Sequence, residues 1–469
     1  MKRFYLIFLF FSVSIFAQNT PVTLNELTYE EYLGYVKKFH PVVKSANLII
    51  SNAQANLMMA RGGFDPKIEV DFDKKQFKNT DYYSILNSSF KIPTWYGIEI
   101  KAGFNNSEGV YLNPENSIPN QGISSFGISV PIGQGLLINQ RMADIRKAKI
   151  QLNLSQAERK LQAISILYDA SVAYFNWKRN YSEVQLYESY LINAEKRLTG
   201  VSSLILNGDK PAIDSVEANI IVRNRKLSLE DSRLKLAKSK LELSNFLWLD
   251  NNLPLELQDT IIPEKELNDK IKITLKTDGF VFDEAQLVNH PKIKALENKI
   301  QILDIERKLK VNSLLPKINL DYQYLSVPQS FTYSNFLYNN FNDYKLGMNF
   351  YFPLFLRKER GSVKLAKNKI QDTQFELNLE RVQLVNKIKA QQTEINSLEK
   401  QLKLINELVA DYSTMLTSED RLFSFGESSI FLINTRENNL IVSQLNALSL
   451  ENRLFTSNAE LFKVMANPD

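Results

Sequence analysis

The chain repeats itself once, and any fold for it must be buildable from two copies of one plan. Residues 40–72 align without a gap on residues 290–322. His40-Pro41 falls on His290-Pro291, Lys44 on Lys294, Ile50 on Ile300, Pro66-Lys67-Ile68 on Pro316-Lys317-Ile318, and Asp71 on Asp321. Eight identities in 33 positions exceed the roughly two that average composition would supply. A second anchor sets Pro131 and then Lys149-Ile150-Gln151 against Pro353 and then Lys369-Ile370-Gln371. The halves are therefore 18–248 and 280–469, and the connector over 249–279 carries Asn251-Asn252, Pro254 and Pro263. With a period above 200 residues, this is duplication of a large unit and not a solenoid. It also gives the only two histidines, His40 and His290, matched places before prolines, which reads as an inherited helix-associated position.

Each half reads as helix, strands, long helix, turn, helix. Helical periodicity covers 24–62, about 137–200 and on to about 248 in the first half, and 281–314, about 361–421 and about 429–465 in the second. The long helices break at Gly208-Asp209-Lys210-Pro211 and at Gly426, since glycine stops a helix and proline opens the next. Sixteen glycines and fifteen prolines in 469 residues are about half of average usage, as long uninterrupted elements require. A 60-residue helix is about 90 Å long, more than a globular domain needs. Heptads run through them: Ile213, Ile220, Leu227, Leu234 and Leu241, then Ile433, Leu440, Ala447, Leu454 and Leu461. Alternating three- and four-residue spacings link Leu154, Ala157, Leu161, Ile164 and Tyr168, and likewise Ile395, Leu398, Leu402, Ile405, Val409 and Tyr412. A plain coiled-coil rod would leave the strand segments unexplained.

Those segments alternate cleanly. Tyr96, Ile98, Ile100, Ala102 and Phe104 oppose Gly97, Glu99, Lys101 and Gly103, and Phe126, Ile128, Val130 and Ile132 oppose Ser125, Gly127 and Ser129. In the second half Ile318, Leu320, Tyr322 and Tyr324 form one face, and Tyr344, Leu346, Met348, Phe350 and Phe352 another. Such alternation suits a membrane barrel with a wet lumen or a soluble sandwich with one solvated face. Nine Phe or Tyr among residues 331–352 fit an interfacial girdle.

The amino terminus favours the barrel. Residues 1–17 have Lys2 and Arg3 ahead of an apolar run from Phe4 to Phe16 and end at the small Ala17, the pattern of a cleaved signal peptide with a mature start at Gln18. Beyond it no uncharged apolar run approaches the length of a membrane helix, so a membrane role requires a β-barrel. Without cysteine there is no disulfide framework, thiolate metal site or cysteine nucleophile. A formal charge of +5, with basic and acidic residues intermixed, lacks the concentrated basic footprint of a nucleic-acid binder. Neither a phosphate-binding G-x-x-x-x-G-K-[ST] loop nor a G-x-S-x-G elbow occurs, and the helix carboxylates read as a solvated face among Lys and Arg, so no enzyme activity or cofactor is expected.

In this order the motifs resemble the TolC-like outer membrane efflux protein family. The resemblance rests on LNELTYEEYLGYVKKFHP at 24–41 with its partner VFDEAQLVNHP at 281–291, on VPIGQGLLINQR at 130–141 and FPLFLRKERG at 352–361, and on FGESSIFLINTRENNL at 425–440. The GLLINQR and LFLRKERG variants look like the Bacteroidetes-type branch. The resemblance implies an α+β membrane protein that assembles as a homotrimer. Each protomer would give four strands to one 12-stranded outer-membrane barrel, which continues into a long periplasmic α-helical barrel. It implies a passive exit duct, joined by a periplasmic adaptor (membrane fusion) protein to an inner-membrane RND or ABC-type pump. Residues 77–121 are an insertion relative to the second half and would supply an additional hairpin or a large extracellular loop.

The resemblance assigns sites as well. The turns at Gly208, Asp209, Lys210 and Pro211 and at Phe425, Gly426, Glu427 and Ser428 would dock the adaptor, with Asp214, Arg421 and Arg436 near the periplasmic aperture and Asp214 linked to one of the two arginines. Outer-membrane lipid would meet Ile98, Ile100, Phe126, Ile128, Val130, Tyr344, Leu346, Met348, Phe350 and Phe352. Members with an acidic cation-binding ring carry it six and nine residues after the second turn glycine, where this chain has Leu432 and Thr435, so that ring is not carried over. A periplasmic coiled-coil adaptor, or a heavy-metal efflux channel, is the alternative function; no Met-rich or His-rich tract supports the latter.

Overall fold

The computed structural model describes residues 25–279, 282–327 and 343–466. The signal peptide, the start at Gln18 and positions 331–342 of the aromatic-rich segment lie outside the described residues. Helices of matched length and cap occur in the two halves. Helix α1 (Tyr29–Phe39) leads to α2 (Pro41–Gly62), and 250 residues later α6 (Pro291–Asn312) has the same 22-residue length. Both open on the matched histidines. His40 Nδ1 accepts the N–H of Val42 at 3.2 Å, and His290 Nδ1 accepts that of Lys292 at 3.2 Å. A proline follows each cap, where its missing N–H costs nothing. The histidines are helix caps.

The chain forms two compact units, and each draws on both halves. One contains residues 25–35, 173–271 and 407–452. In it the short strand β1 (Asn25–Leu27) pairs in parallel with β8 (Ile261–Pro263) of the connector. Beside them Tyr29, Tyr32, Tyr174, Phe175 and Trp177 are all buried, with Tyr29 and Tyr174 ring centres 5.4 Å apart. Tyr174 donates its hydroxyl to Leu27 O at 2.7 Å and accepts the N–H of Glu264 at 3.2 Å, which ties the connector to the amino terminus. Lys178 donates to Glu264 O and Lys265 O, and burial pushes its ammonium below the usual lysine range. The connector also carries the small hairpin β6 (Trp248–Leu249) and β7 (Leu253–Pro254) and the helix α5 (Asn268–Thr274).

The second unit holds a six-stranded antiparallel sheet. Its strands are β2 (Lys67–Phe77), β3 (Thr80–Pro93), β4 (Glu99–Glu108), β5 (Ile123–Gly133), β9 (Lys317–Ser326) and β10 (Tyr344–Tyr351), in spatial order β10-β9-β5-β4-β3-β2. Among the described residues the sheet has six strands, where four per protomer were expected. The insertion at 77–121 is the reason. Lys78 and Asn79 both take positive φ, 50° and 56°, which gives a two-residue hairpin turn, and β3 and β4 follow within the inserted stretch. The expected strand from Tyr96 also starts later, at Glu99, because Thr94 closes a turn onto Ile98 O and Gly97 has φ +75°. Ile98 thus precedes β4, and Phe352 lies just past β10.

Register carries the alternation across the whole sheet. Tyr344, Tyr324, Phe126, Ala102, Phe90 and Ile68 stand opposite one another in a row that crosses all six strands. The other face is polar, and Lys101 reaches over Gly127 to Asp321 at 2.9 Å. Gly127 has to be glycine, since a Cβ there would lie 1.9 Å from Tyr322 O.

Candidate functional site

Four helices build the two turns, all within the first unit where they meet them. Helix α3 (Gln140–Leu206) runs into the first turn and α4 (Ile213–Ser244) leaves it, while α7 (Arg357–Ser424) enters the second and α8 (Ile430–Met465) leaves. The turns are cut to one pattern. Gly208 has φ +79° and Gly426 φ +78°. The N–H of Asp209 bonds Leu204 O at 2.9 Å, and that of Glu427 bonds Leu422 O at 3.0 Å. These six-to-one bonds past a left-handed glycine cap the last carbonyls of each long helix. After the second turn the Ser429 hydroxyl accepts the N–H of Leu432 at 3.3 Å, so a serine caps α8.

The turns touch through side chains. Lys210 Nζ lies 5.3 Å from the centre of the Phe423 ring. Behind them a core of Ala194, Val201, Ile221, Val222 and Ile430 is buried, with Ile205 and Phe423 packed against it. Their outer surface is apolar and open: Phe425 is 73% exposed, and Leu206, Ile213 and Phe431 are exposed beside it. Arg436 Nε faces Glu419 at 3.5 Å, and the Ser428 hydroxyl donates to the same carboxylate. Among the described residues Asp214 has no ion pair and Arg421 none either, so the Asp214 link to Arg436 or Arg421 is not formed within the protomer. Asp214 stands in the first turn of α4, where a carboxylate favours the helix dipole.

Sequence reading missed the strongest polar feature of this end. Eleven residues past the second turn glycine, Glu437 is 1% exposed and takes both Arg197 (3.3 Å) and Arg225 (3.0 Å). Arg225 also donates to Asn438 Oδ1 at 2.7 Å, and its Nε is buried without an acceptor. Arg197 extends to Asp420 at 3.6 Å. Burial raises the Asp420 carboxyl above its usual range, with Glu437 and Glu419 adding to the rise and Arg197 opposing it. One signal was available. Glu437 falls between Ile433 and Leu440 in four-then-three spacing, so a charge occupies the buried stripe. Arg225 likewise stands between buried Ile221 and Leu229.

Among the described residues no group of three or more His, Cys, Asp or Glu is placed to hold a metal ion, and no helix is long and apolar enough to cross a membrane.

Comparison with known proteins agrees with this architecture. Residues 284–467 match the sequence model of the family described as outer membrane efflux protein. No curated protein sequence matches the chain. Among solved structures, the Campylobacter jejuni outer membrane channel CmeC is similar with a TM-score of 0.65 at 13% identity, over 93% of this chain and 85% of that one. The open-state Neisseria gonorrhoeae channel MtrE gives 0.66 at 13% identity over 93% and 88%, and the Vibrio cholerae outer membrane protein VceC gives 0.64 at 13% over 93% and 95%. At such identity the structures speak to fold alone. Residues 284–467 thus match the outer membrane efflux protein family, and the fold of the chain is similar to that of solved outer membrane channels.

Proposed function

We propose that the protein is the passive outer-membrane exit duct of an efflux or secretion system. Three copies close one β-barrel in the outer membrane, and their long helices extend into the periplasm. The observation that carries the reading is the sheet's uncovered apolar face. Ile68, Val70, Phe72, Phe126, Ile128, Leu346, Met348 and Phe350 are exposed on it, from 43% for Phe126 and Ile128 to 76% for Ile68. A monomeric soluble protein rarely leaves so wide an apolar surface to water, whereas lipid covers it at no cost. Val130 lies on the same face. Exposed stripes on α4 and on α7, where Leu408, Met415 and Leu422 recur every seven residues, suit helix packing between copies.

The turns are the end that meets a periplasmic adaptor, with an inner-membrane RND or ABC-type pump supplying the energy. Phe425, Leu206 and Phe431 offer apolar contact there, and Lys210 and Glu427 offer charge. Asp214, unpaired within its own protomer, faces a neighbouring copy and helps hold the end closed, while Arg421 and Arg436 line the same aperture. Planar-bilayer recording tests the reading. Purified wild type should conduct weakly, and Asp214→Ala should raise single-channel conductance with the trimer intact. Protein that mild salt washes from the membrane, or that never conducts in any variant, removes the duct reading.

A further inference from the structure

We propose that the barrel contains eighteen strands, six from each of three copies, closed where β2 of one copy pairs with β10 of the next. The inference rests on the outer-membrane duct reading and adds the architecture of its wall. Duplication identifies the strands: β2 begins at Lys67 and β9 at Lys317, on the matched Pro-Lys-Ile, and β5 and β10 contain or precede the matched Pro131 and Pro353. The inserted strands β3 and β4 lie between β2 and β5 in the sheet. They widen it from within and leave β2 and β10 as its two edges.

Those edges fit each other. An even number of alternating strands makes β2 and β10 run in opposite senses, so three copies close an antiparallel barrel without a parallel seam. Every residue of β2 is exposed, and its open ladder lacks proline. An uncovered edge of this length pairs with another strand. The register follows from barrel geometry. At a strand tilt of about 35°, with strands ~4.8 Å apart and a rise of ~3.3 Å per residue, six strands advance the register by about six residues. Within one copy Tyr344 shares a row with Ile68, so in the neighbour it meets Lys74. An advance in the other sense would set Tyr344 against the end of α2.

With Tyr344 on Lys74, Phe350 falls on Ile68, Met348 on Val70 and Leu346 on Phe72. All six of these side chains are exposed in the single copy. On the wet face Lys345 falls on Asp73, an opposite-charge pair. A register two residues further would set Lys345 against Lys75, which like-charge repulsion disfavours. Barrel diameter grows roughly linearly with strand number, so the bore is about 1.5 times that of a twelve-stranded barrel before any side chain enters it.

The chain has no cysteine, which makes the test clean. Full-length protein carrying Asp73→Cys and Lys345→Cys together is oxidised in isolated outer membranes and run under denaturing, non-reducing conditions. We expect covalent trimer at a level at least ten-fold above either single variant, and conversion to monomer on reduction. The detergent-purified wild-type trimer, imaged by electron cryomicroscopy, should show eighteen strands in barrel cross-section. Twelve strands, or a Lys345→Cys link to Asn105→Cys on β4 in place of Asp73→Cys, overturns the inference while the trimeric duct stands. A purified protein that is monomeric overturns the duct reading itself.

Discussion

The helices that leave the two turns carry the same seven-residue spacing and put it to different use. On α8 Ile433, Leu440, Leu454 and Leu461 are at most 7% exposed, whereas on α4 Ile213, Ile220, Leu227, Leu234 and Leu241 are each at least 54% exposed. Phase accounts for the difference. The α8 stripe begins seven residues after its turn glycine and the α4 stripe five, and two residues at about 100° each place the stripes on nearly opposite sides of the helix. The phase that α8 buries is also present on α4, where Val222, Leu229 and Leu243 are buried. Helix α4 is therefore apolar on two faces and α8 chiefly on one. The extra face on α4 is available to a neighbour, and a heptad read from sequence does not say which neighbour it serves.

Charge divides between the repeats in the same asymmetric way. Arg197 and Arg225 come from the first half, Glu437 and Asp420 from the second. Counted from the turn glycines, Glu437 corresponds to Asn219. The largest effect expected from breaking this asymmetry is at Glu437. Glu437→Ala leaves the buried Arg225 without a carboxylate and Arg197 with Asp420 alone, and should cost about 3–5 kcal/mol. Asn219→Ala, at the matched but exposed place, should cost less than about 0.5 kcal/mol. Chemical denaturation followed by far-UV circular dichroism measures both. Equal costs would mean that the buried cluster contributes nothing particular to the second repeat.

The stripes give the next contrast. Leu440→Ala removes a buried side chain from α8 and should destabilise the protomer by about 2–5 kcal/mol. Leu227→Ala should leave protomer stability within about 0.5 kcal/mol and lower the yield of trimer instead. Unfolding midpoints and native electrophoresis separate the two effects. If Leu227→Ala destabilises the protomer as much as Leu440→Ala, the two-face account of α4 is wrong.

Much of this contrast could not be read from the chain. The two glycine turns and the long helices were legible because each rests on local chemistry: a left-handed glycine, a proline at the first helical position, a repeated spacing. The histidine caps were legible as inherited positions. The strand number was not, because the inserted hairpin turns on Lys78-Asn79, a weak turn signal beside Asn-Gly. The buried ionic cluster was hidden because its members lie far apart in sequence on helices rich in charge, where a solvated face is the usual reading. Residue type does not reveal burial on such a helix, but position in the heptad does.

The sheet offers a smaller contrast between neighbouring positions. Met348 is on the apolar face of β10, and Asn349 points to the polar one. Met348→Arg should cost about 2–4 kcal/mol in the membrane and reduce assembled trimer, while Asn349→Arg should reduce it little. Heat-resistant trimer on mild denaturing gels reports the difference. Equal loss from both would remove the assignment of faces.

The smallest expected effect concerns the cap of α6. His290 is 6% exposed, and Nε2 lies 3.0 Å from Val464 O while Nδ1 accepts the N–H of Lys292. The two bonds fix the tautomer, with the proton on Nε2 donated to Val464. A second proton would have to enter at Nδ1, against the N–H that it now accepts. Burial accordingly lowers the imidazole pKa below 6.5, with Lys292 adding to the fall and the Val464 bond and Glu380 opposing it. The unfolded chain then binds a proton before the folded one. The stability due to His290 is present above about pH 6.5 and is lost as pH falls from there through the folded value, with a slope of at most about 1.4 kcal/mol per pH unit. Asparagine can replace the cap but neither titrates nor reaches Val464 in the same way. Wild type should therefore exceed His290→Asn by about 1 kcal/mol at pH 7.5. That margin should shrink steadily as unfolding is repeated at pH 6.5, 5.5 and 5.0. A margin that does not change with pH would show that the ring titrates alike in the folded and unfolded chain, and that the cap is not the Nδ1 lone pair.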